Sequence, residues 1–120
     1  MQYTILVYET DSELEARNDP ARKGEYWAAY RAYGQALREA GVLRGGHGLQ
    51  PPHDATSLRV RSGKRQVQDG PFVDTKEKLG GIYIIEVDDL DRALEWASRC
   101  PSASTGSVEV RPHIPPMPQG

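Results

Sequence analysis

A few acids, histidines and tyrosines near the ends of predicted elements are the residues best suited to chemistry. Glu9 follows a strand-like segment, and His47 lies between glycines at 45–48, where permissive backbone lets a side chain be directed into a cleft. Carboxylate and imidazole groups donate and accept protons, so the pair favours proton transfer of the lyase or isomerase type. The alternatives are a solvated loop carboxylate and an exposed turn histidine.

Three tyrosines recur at helical spacing. Tyr26, Tyr30 and Tyr33 follow steps of three and four residues, which places them on one face of a helix. Their hydroxyls can hold a ligand, although this spacing is also typical of core packing. A tyrosine with an ordinary pKa near 10 donates hydrogen bonds at neutral pH and is a poor general base.

Asp69 opens the tripeptide Asp69-Gly70-Pro71, which is first of all a turn signal. The same carboxylate is a candidate ligand-binding group at a cleft. The histidines lack acids or cysteines at recognisable ligand spacing, so no metal site is expected. Gly80-Gly81 lacks the motif and helix of a phosphate-binding loop, so no nucleotide or other cofactor is expected.

Composition restricts the class of protein. The 120 residues match one domain, and 38% hydrophobic with 27% charged residues is typical of a globular chain. Charges of both signs are scattered around a net charge of -2, which disfavours nucleic acid as a partner. The longest apolar run, 82–85, is far too short to span a membrane, and no signal peptide opens the chain, so a cytoplasmic location is expected. The single cysteine, Cys100, is interpreted as a packing residue.

The elements that must position these residues follow from periodicity. Strands are predicted at 2–8, 42–49, 56–61, 82–87 and 108–111, with a further strand pair around a turn at 69–71. Helices are predicted at 22–40, ending at Gly41, and from Asp88 or Asp89 to the residue before Pro101. The buried stripe of the second helix is predicted to consist of Leu90, Ala93, Leu94 and Ala97. This order predicts an α+β domain over residues 1–112, of the ferredoxin-like split β-α-β type with an inserted hairpin. A Pro-rich tail follows at 113–120.

The first strand carries apolar residues on both faces. Two helices can cover only one face of the sheet, which leaves exposed either Thr4, Leu6 and Tyr8 or the residues of the opposite face. A second copy packed face to face would bury them, so a homodimer with a barrel-like interior is predicted.

A collinear series of motifs carries a family resemblance. The series consists of Asp69-Gly70-Pro71-Phe72, Thr75-Lys76-Glu77, Leu79-Gly80-Gly81, Glu86-Val87-Asp88-Asp89-Leu90 and Val108-Glu109-Val110-Arg111-Pro112. Over almost its whole length, the chain resembles the DGPF-domain branch of the YCII-related family. The resemblance implies a dimeric α/β barrel of ferredoxin-like subunits, which agrees with the argument from the two-faced strand.

The resemblance also implies two kinds of function. In enzyme-like members, a histidine of the first helix faces an acid at the end of the first strand. Here Glu9 falls at the acid's position, whereas Tyr30 stands where the histidine would be. The first hypothesis is a dimeric small-molecule-binding protein doing acid-base chemistry in a cleft lined by Glu9, Tyr26, Tyr30, His47 and Asp69. The alternative is a non-catalytic regulatory or interaction module, such as a sigma-factor accessory protein.

Overall fold

The protein is described by a computed structural model that covers residues 1–116. The strands are β1 (Gln2–Thr10), β2 (Leu43–Gly48), β3 (Thr56–Arg61), β4 (Lys64–Asp69), β5 (Glu77–Glu86) and β6 (Ser107–Pro112), and the helices are α1 (Asp11–Ala16), α2 (Lys23–Glu39) and α3 (Leu90–Ser98). Four strands form an antiparallel sheet in the order β2-β5-β1-β6, and β3 and β4 form a separate hairpin. This is the predicted ferredoxin-like α+β fold with an inserted hairpin.

The core lies between the helices and one face of the sheet. Burial alternates along β1, so that Tyr3, Ile5 and Val7 are covered by the helices. Tyr33 and Leu37 of α2 pack against them. Each such side chain contributes about 1.5–3 kcal/mol when it leaves water. The intervening residues of β1 stay only partly buried, so the other face of the sheet is open in a single chain.

Helix α3 is buried over a narrower stripe than its spacing predicted. Ala93 and Ala97 are buried as expected, whereas Leu90 and Leu94 are 49% and 47% exposed. The two alanines fill the contact with the core, so the wider stripe of four residues was wrong. Cys100 packs in the same core, and burial raises the pKa of its thiol.

Helices α2 and α3 are bounded by the capping residues that the sequence predicted. Asp89 accepts a hydrogen bond from the backbone N–H of Arg92 at 2.9 Å and so caps the start of α3. Gly41 follows α2 with a φ of 74°, a left-handed conformation that glycine adopts without a steric penalty.

Helix α1 was not predicted from the sequence. The Thr10 hydroxyl accepts from the backbone N–H of Glu13 at 3.3 Å, and the Glu13 carboxylate accepts from the backbone N–H of Thr10 at 3.0 Å. This reciprocal capping box satisfies first-turn donors and starts a helix directly after β1.

The predicted hairpin turn was wrong. The chain reverses between β3 and β4 at Ser62 and Gly63, which both have positive φ angles, 52° and 73°. Two such residues form the two-residue turn whose twist matches antiparallel strands. Asp69 instead ends β4, and Gly70 leaves that strand with a φ of 81°.

The segment after β6 begins against β1. The backbone N–H of His113 donates to the carbonyl of Gln2 at 2.9 Å, and its ring lies 2.6 Å from the Thr4 hydroxyl. Residues 117–120 of the predicted tail lie outside the described part of the chain, and the division at residue 112 stays a prediction. None of the helices in residues 1–116 is both long and apolar enough to cross a membrane.

Candidate functional site

Glu9 lies at the end of β1, on the side of the sheet that carries the helices, and is only 1% exposed. Arg17 Nη2 donates to Glu9 Oε1 at 3.0 Å, and the Tyr26 hydroxyl donates to Glu9 Oε2 at 2.6 Å. Both carboxylate oxygens therefore have partners, as a buried charge requires. Burial, together with the hydrogen bond and the charge of Glu9, raises the pKa of Tyr26, so its phenol stays protonated at neutral pH.

Arg17 connects the elements around Glu9. Its guanidinium donates to Tyr26 Oη at 2.9 Å, to the carbonyl of Gly80 at 3.0 Å and to the carbonyl of Leu49. Burial opposes the charged form of Arg17, but its hydrogen bond to Tyr26 and the charge and hydrogen bond of Glu9 outweigh this effect and raise the pKa of Arg17. Trp27 also contacts Arg17, since its Nε1 donates a hydrogen bond to the Arg17 backbone carbonyl at 3.1 Å.

Gly80 leaves space for the ion pair of Glu9 and Arg17. In the pairing of β1 with β5, Val7 opposes Gly81 and Tyr8 opposes Leu79, so Gly80 forms a bulge with no direct partner. A Cβ at Gly80 would overlap Glu9 Oε1 and lie 3.0 Å from Arg17 Nη2. The bulge therefore positions a carbonyl for Arg17 and leaves space for the carboxylate.

Tyr30 contributes a buried hydroxyl without a hydrogen-bond partner in the described part of the chain. Burial and then the charge of Glu9 raise its pKa, an increase that the nearby Ser102 hydroxyl only partly counters. The phenol is therefore a neutral hydrogen-bond donor at neutral pH. An unsatisfied buried hydroxyl costs about 1–3 kcal/mol, which a ligand oxygen accepting from it would recover.

These groups line a cavity of about 110 Å³ between α2 and the sheet. Its polar and aromatic lining residues are Glu9, Arg17, Tyr26, Trp27, Tyr30, His47 and Tyr83. An adjoining groove of about 300 Å³ shares Trp27, Tyr30 and Tyr83 with it, so the two spaces form one recess. Cavities of about 150 Å³ already hold benzene, so this recess has the size for a ring.

Two larger spaces, of about 400 and 760 Å³, lie beside the hairpin and α1. Glu9, Tyr26 and Tyr30 line neither of them. We assign the candidate site to the smaller recess because it holds the buried charges and the unpaired hydroxyl, and such groups cluster at functional sites.

Four of the five residues that the sequence suggested, Glu9, Tyr26, Tyr30 and His47, line the cavity. His47 pairs with Ile82, which also pairs with Leu6 on the open face of the sheet. Directly paired residues share a face, so the imidazole points away from the cavity. Asp69 is exposed at the end of β4 and does not line the cavity.

Arg17 is the site residue that sequence reasoning missed. Its signal was the capping box, since Thr10 and Glu13 predict a short helix after β1 that returns the chain over Glu9. An arginine at the end of that helix is a natural partner for a buried acid.

The fold and the cavity together define a ferredoxin-like α+β domain with a ring-sized recess between its helix layer and its sheet. The YCII-related domain model matches residues 1–116, and the chain belongs to the YCII-related family. It is 38% identical over 117 residues to an uncharacterised protein of Rhizobium meliloti (strain 1021), an alignment that covers 93% of this chain and 91% of that protein.

A solved structure shares the fold. It is 5-chloro-2-hydroxyhydroquinone dehydrochlorinase from Burkholderia phenoliruptrix AC1100 in complex with 2,5-dihydroxybenzoquinone, with a TM-score of 0.55 and 18% sequence identity. The match covers 95% of this chain and 94% of the dehydrochlorinase. Placement of this chain in the DGPF branch stays a prediction.

Proposed function

We propose that this protein binds a small, ring-sized molecule in the recess and acts on it by proton transfer, in the manner of a lyase or isomerase. The observation that carries the proposal is that one cavity is lined both by Glu9 and by Tyr30, whose buried hydroxyl has no hydrogen-bond partner in the described part of the chain. The dehydrochlorinase that shares the fold was solved in complex with 2,5-dihydroxybenzoquinone, which supports a ligand of this class.

The roles of the side chains follow from their surroundings. Tyr30, with its raised pKa, donates a hydrogen bond to a ligand oxygen and stabilises negative charge that develops there. Glu9 is the single carboxylate among the described residues that line the cavity, and it serves as the proton acceptor. Arg17 and Tyr26 hold its oxygens in place and are positioning residues.

Calorimetric titration with ring compounds, beginning with 2,5-dihydroxybenzoquinone, tests the binding. We expect saturable binding to the native protein and at least tenfold weaker binding to Tyr30→Phe, since about 1.4 kcal/mol corresponds to a factor of ten. Tyr3→Phe is the matched control, because its hydroxyl contacts Met1 outside the cavity. Equal affinities of Tyr30→Phe and the native protein would refute the assignment of Tyr30.

Proton transfer is tested on any compound that binds. Exchange of a ring or α-carbon proton with deuterium oxide, followed by NMR, is expected with the native protein and lost in Glu9→Gln. Thermal unfolding establishes that this variant is folded. Undiminished exchange in folded Glu9→Gln would show that Glu9 is not the proton acceptor. Binding without any exchange would show that the protein binds the compound but does not catalyse proton transfer on it.

We also propose that a second copy of the chain covers the open face of the sheet. Leu6 and its partner Ile82 lie on that face with no helix above them. Apolar strand residues of this kind are normally covered in a stable protein. A sigma-factor partner and a cytoplasmic location stay predictions from the sequence, and no contact within residues 1–116 favours the non-catalytic alternative.

A further inference from the structure

Helix α2 presents a stripe of four residues to the groove that continues the cavity. Trp27, Arg31, Gly34 and Arg38 are separated by four, three and four residues, which places them on one side of the helix. The facing wall is β2, whose groove residues include two glycines, Gly46 and Gly48. The groove is therefore wide, and its charged side chains come from α2.

The charge in the recess is positive. Arg31 and Arg38 line the groove, and no carboxylate of residues 1–116 lies within 4.0 Å of either guanidinium. No Asp or Glu is among the described residues that line the groove. In the adjoining cavity, the charge of Glu9 is compensated by Arg17 at 3.0 Å. Arg31 and Arg38 therefore give the recess a net positive charge.

Arg38 lies close to the aromatic part of the recess. Its guanidinium nitrogens cover Gly34, 3.7 and 4.0 Å from the place where a Cβ would stand. Burial raises the pKa of Tyr83 to about 12, and the charge of Arg38 opposes that rise, which puts the two groups within electrostatic reach. An anionic group bound between α2 and Tyr83 would therefore contact the Arg38 guanidinium. A guanidinium binds carboxylates well because its paired N–H donors match the two carboxylate oxygens.

We propose that the ligand of this recess is a small planar anion, such as a ring carboxylate or an ionised hydroxylated ring. Its ring occupies the cavity at Tyr30 and Trp27, and its anionic group lies in the groove near Arg31 and Arg38. This inference rests on the proposed function and adds the charge of the ligand to it. A pair of arginines on an exposed helix is commonly just solvated, but here both line the space that opens from the cavity.

Matched probes of equal shape test the inference. We expect benzoate and salicylate to bind at least five times more tightly than the uncharged benzamide and salicylamide, measured by calorimetry or NMR titration at low salt. The preference should shrink in 0.5 M salt, because exposed charges are screened. Arg31→Gln and Arg38→Gln should each weaken binding of the anions several-fold and leave the amides unchanged. Arg65→Gln, on the hairpin outside the recess, is the matched control.

The outcomes separate this inference from the proposed function. Equal affinity for acids and amides, with the Tyr30→Phe effect intact, would overturn the anionic ligand and leave the binding site standing. Loss of acid binding in Arg65→Gln to the same extent as in Arg38→Gln would show a general charge effect and would also overturn it. Failure of the acids, the amides and 2,5-dihydroxybenzoquinone to bind would overturn both proposals.

Discussion

At the scale of single residues, the site depends on a buried ion pair whose members stabilise each other. Glu9 and Arg17 are 1% and 9% exposed, and Tyr26 bonds to both of them. Removing one member of such a pair leaves an uncompensated charge and costs about 3–5 kcal/mol, whereas replacing both by apolar groups is often neutral. The cluster is therefore better explained by the geometry that it gives the cavity than by its net contribution to stability.

Replacing Gly80 by alanine should break this geometry. The new Cβ would overlap Glu9 Oε1, so the carboxylate must move away from Arg17. We expect a loss of up to about 3–5 kcal/mol in the free energy of unfolding, as for other damage to a buried pair. Urea denaturation followed by circular dichroism measures it.

Gly24→Ala serves as the control for this change. Gly24 lies in α2 without a positive φ, and a Cβ added there would have no atom within 4 Å. Alanine should therefore stabilise the helix by about 0.5–1 kcal/mol. If Gly80→Ala unfolds at the same urea concentration as the native protein, the proposed crowding at Glu9 is wrong.

At the scale of elements, α1 is the short helix that brings Arg17 over Glu9. It has only six residues, so propensity alone cannot maintain it. The capping box of Thr10 and Glu13 and the bonds of Arg17 tie it to the end of β1. A change at the cap should therefore reach the site through the position of Arg17.

Thr10→Ala is predicted to cost about 0.5–2 kcal/mol of stability, because a first-turn N–H loses its acceptor. The same variant should also weaken binding of 2,5-dihydroxybenzoquinone or any other ring compound shown to occupy the recess. Thr10→Ser keeps the hydroxyl and should restore both properties. If Thr10→Ala is destabilised but binds with native affinity, the capping box does not affect the site.

The elements differ in how far the sequence predicted them. Helices α2 and α3 were predicted to within a residue or two because Gly41 ends the first and Asp89 begins the second with strong capping signals. Helix α1 was missed because six residues show little periodicity. The hairpin turn was misplaced because Asp69-Gly70-Pro71 is a stronger turn signal than Ser62-Gly63, although both segments do contain positive φ angles.

The sequence predicted only those site residues whose positions follow from local periodicity. Strand alternation places Glu9 with the buried residues, and helical spacing places Tyr26 and Tyr30 together above it. The direction of the His47 side chain depends on the register of β2 against β5, which the glycine-rich strand leaves open at the level of sequence. The partners of Arg17 depend on the bulge at Gly80, which no local pattern reveals.

At the scale of the whole molecule, the chain is flat, with principal extents of 55 × 47 × 18 Å. The small dimension fits one sheet and one layer of helices, which accounts for the open face that carries Leu6 and Ile82. Two chains packed through this face would form a molecule with both sheets inside and both recesses outside. The proposed dimer therefore leaves each site accessible to ligand.

Light scattering after size exclusion should give a mass of about 27 kDa, twice the 13.3 kDa of one chain. Leu6→Arg should reduce this to the mass of one chain, since a charge would replace an apolar side chain in the middle of the interface. Leu94→Arg, an equal change on the exposed side of α3, should leave the mass unaltered. A native protein that runs as a single chain at micromolar concentration would refute the dimer.

Strand β2 limits the size of the ligand that the proposed recess could hold. A Cβ at Gly48 would meet nothing within 4 Å, whereas one at Gly46 would press on the Tyr83 ring at 3.1 Å. A larger side chain at position 48 would therefore take up space in the recess without displacing a neighbour, whereas one at position 46 would displace the Tyr83 ring. Substitution of Gly48 should therefore reduce the size of ligand that the recess can hold and leave the rest of the fold unchanged.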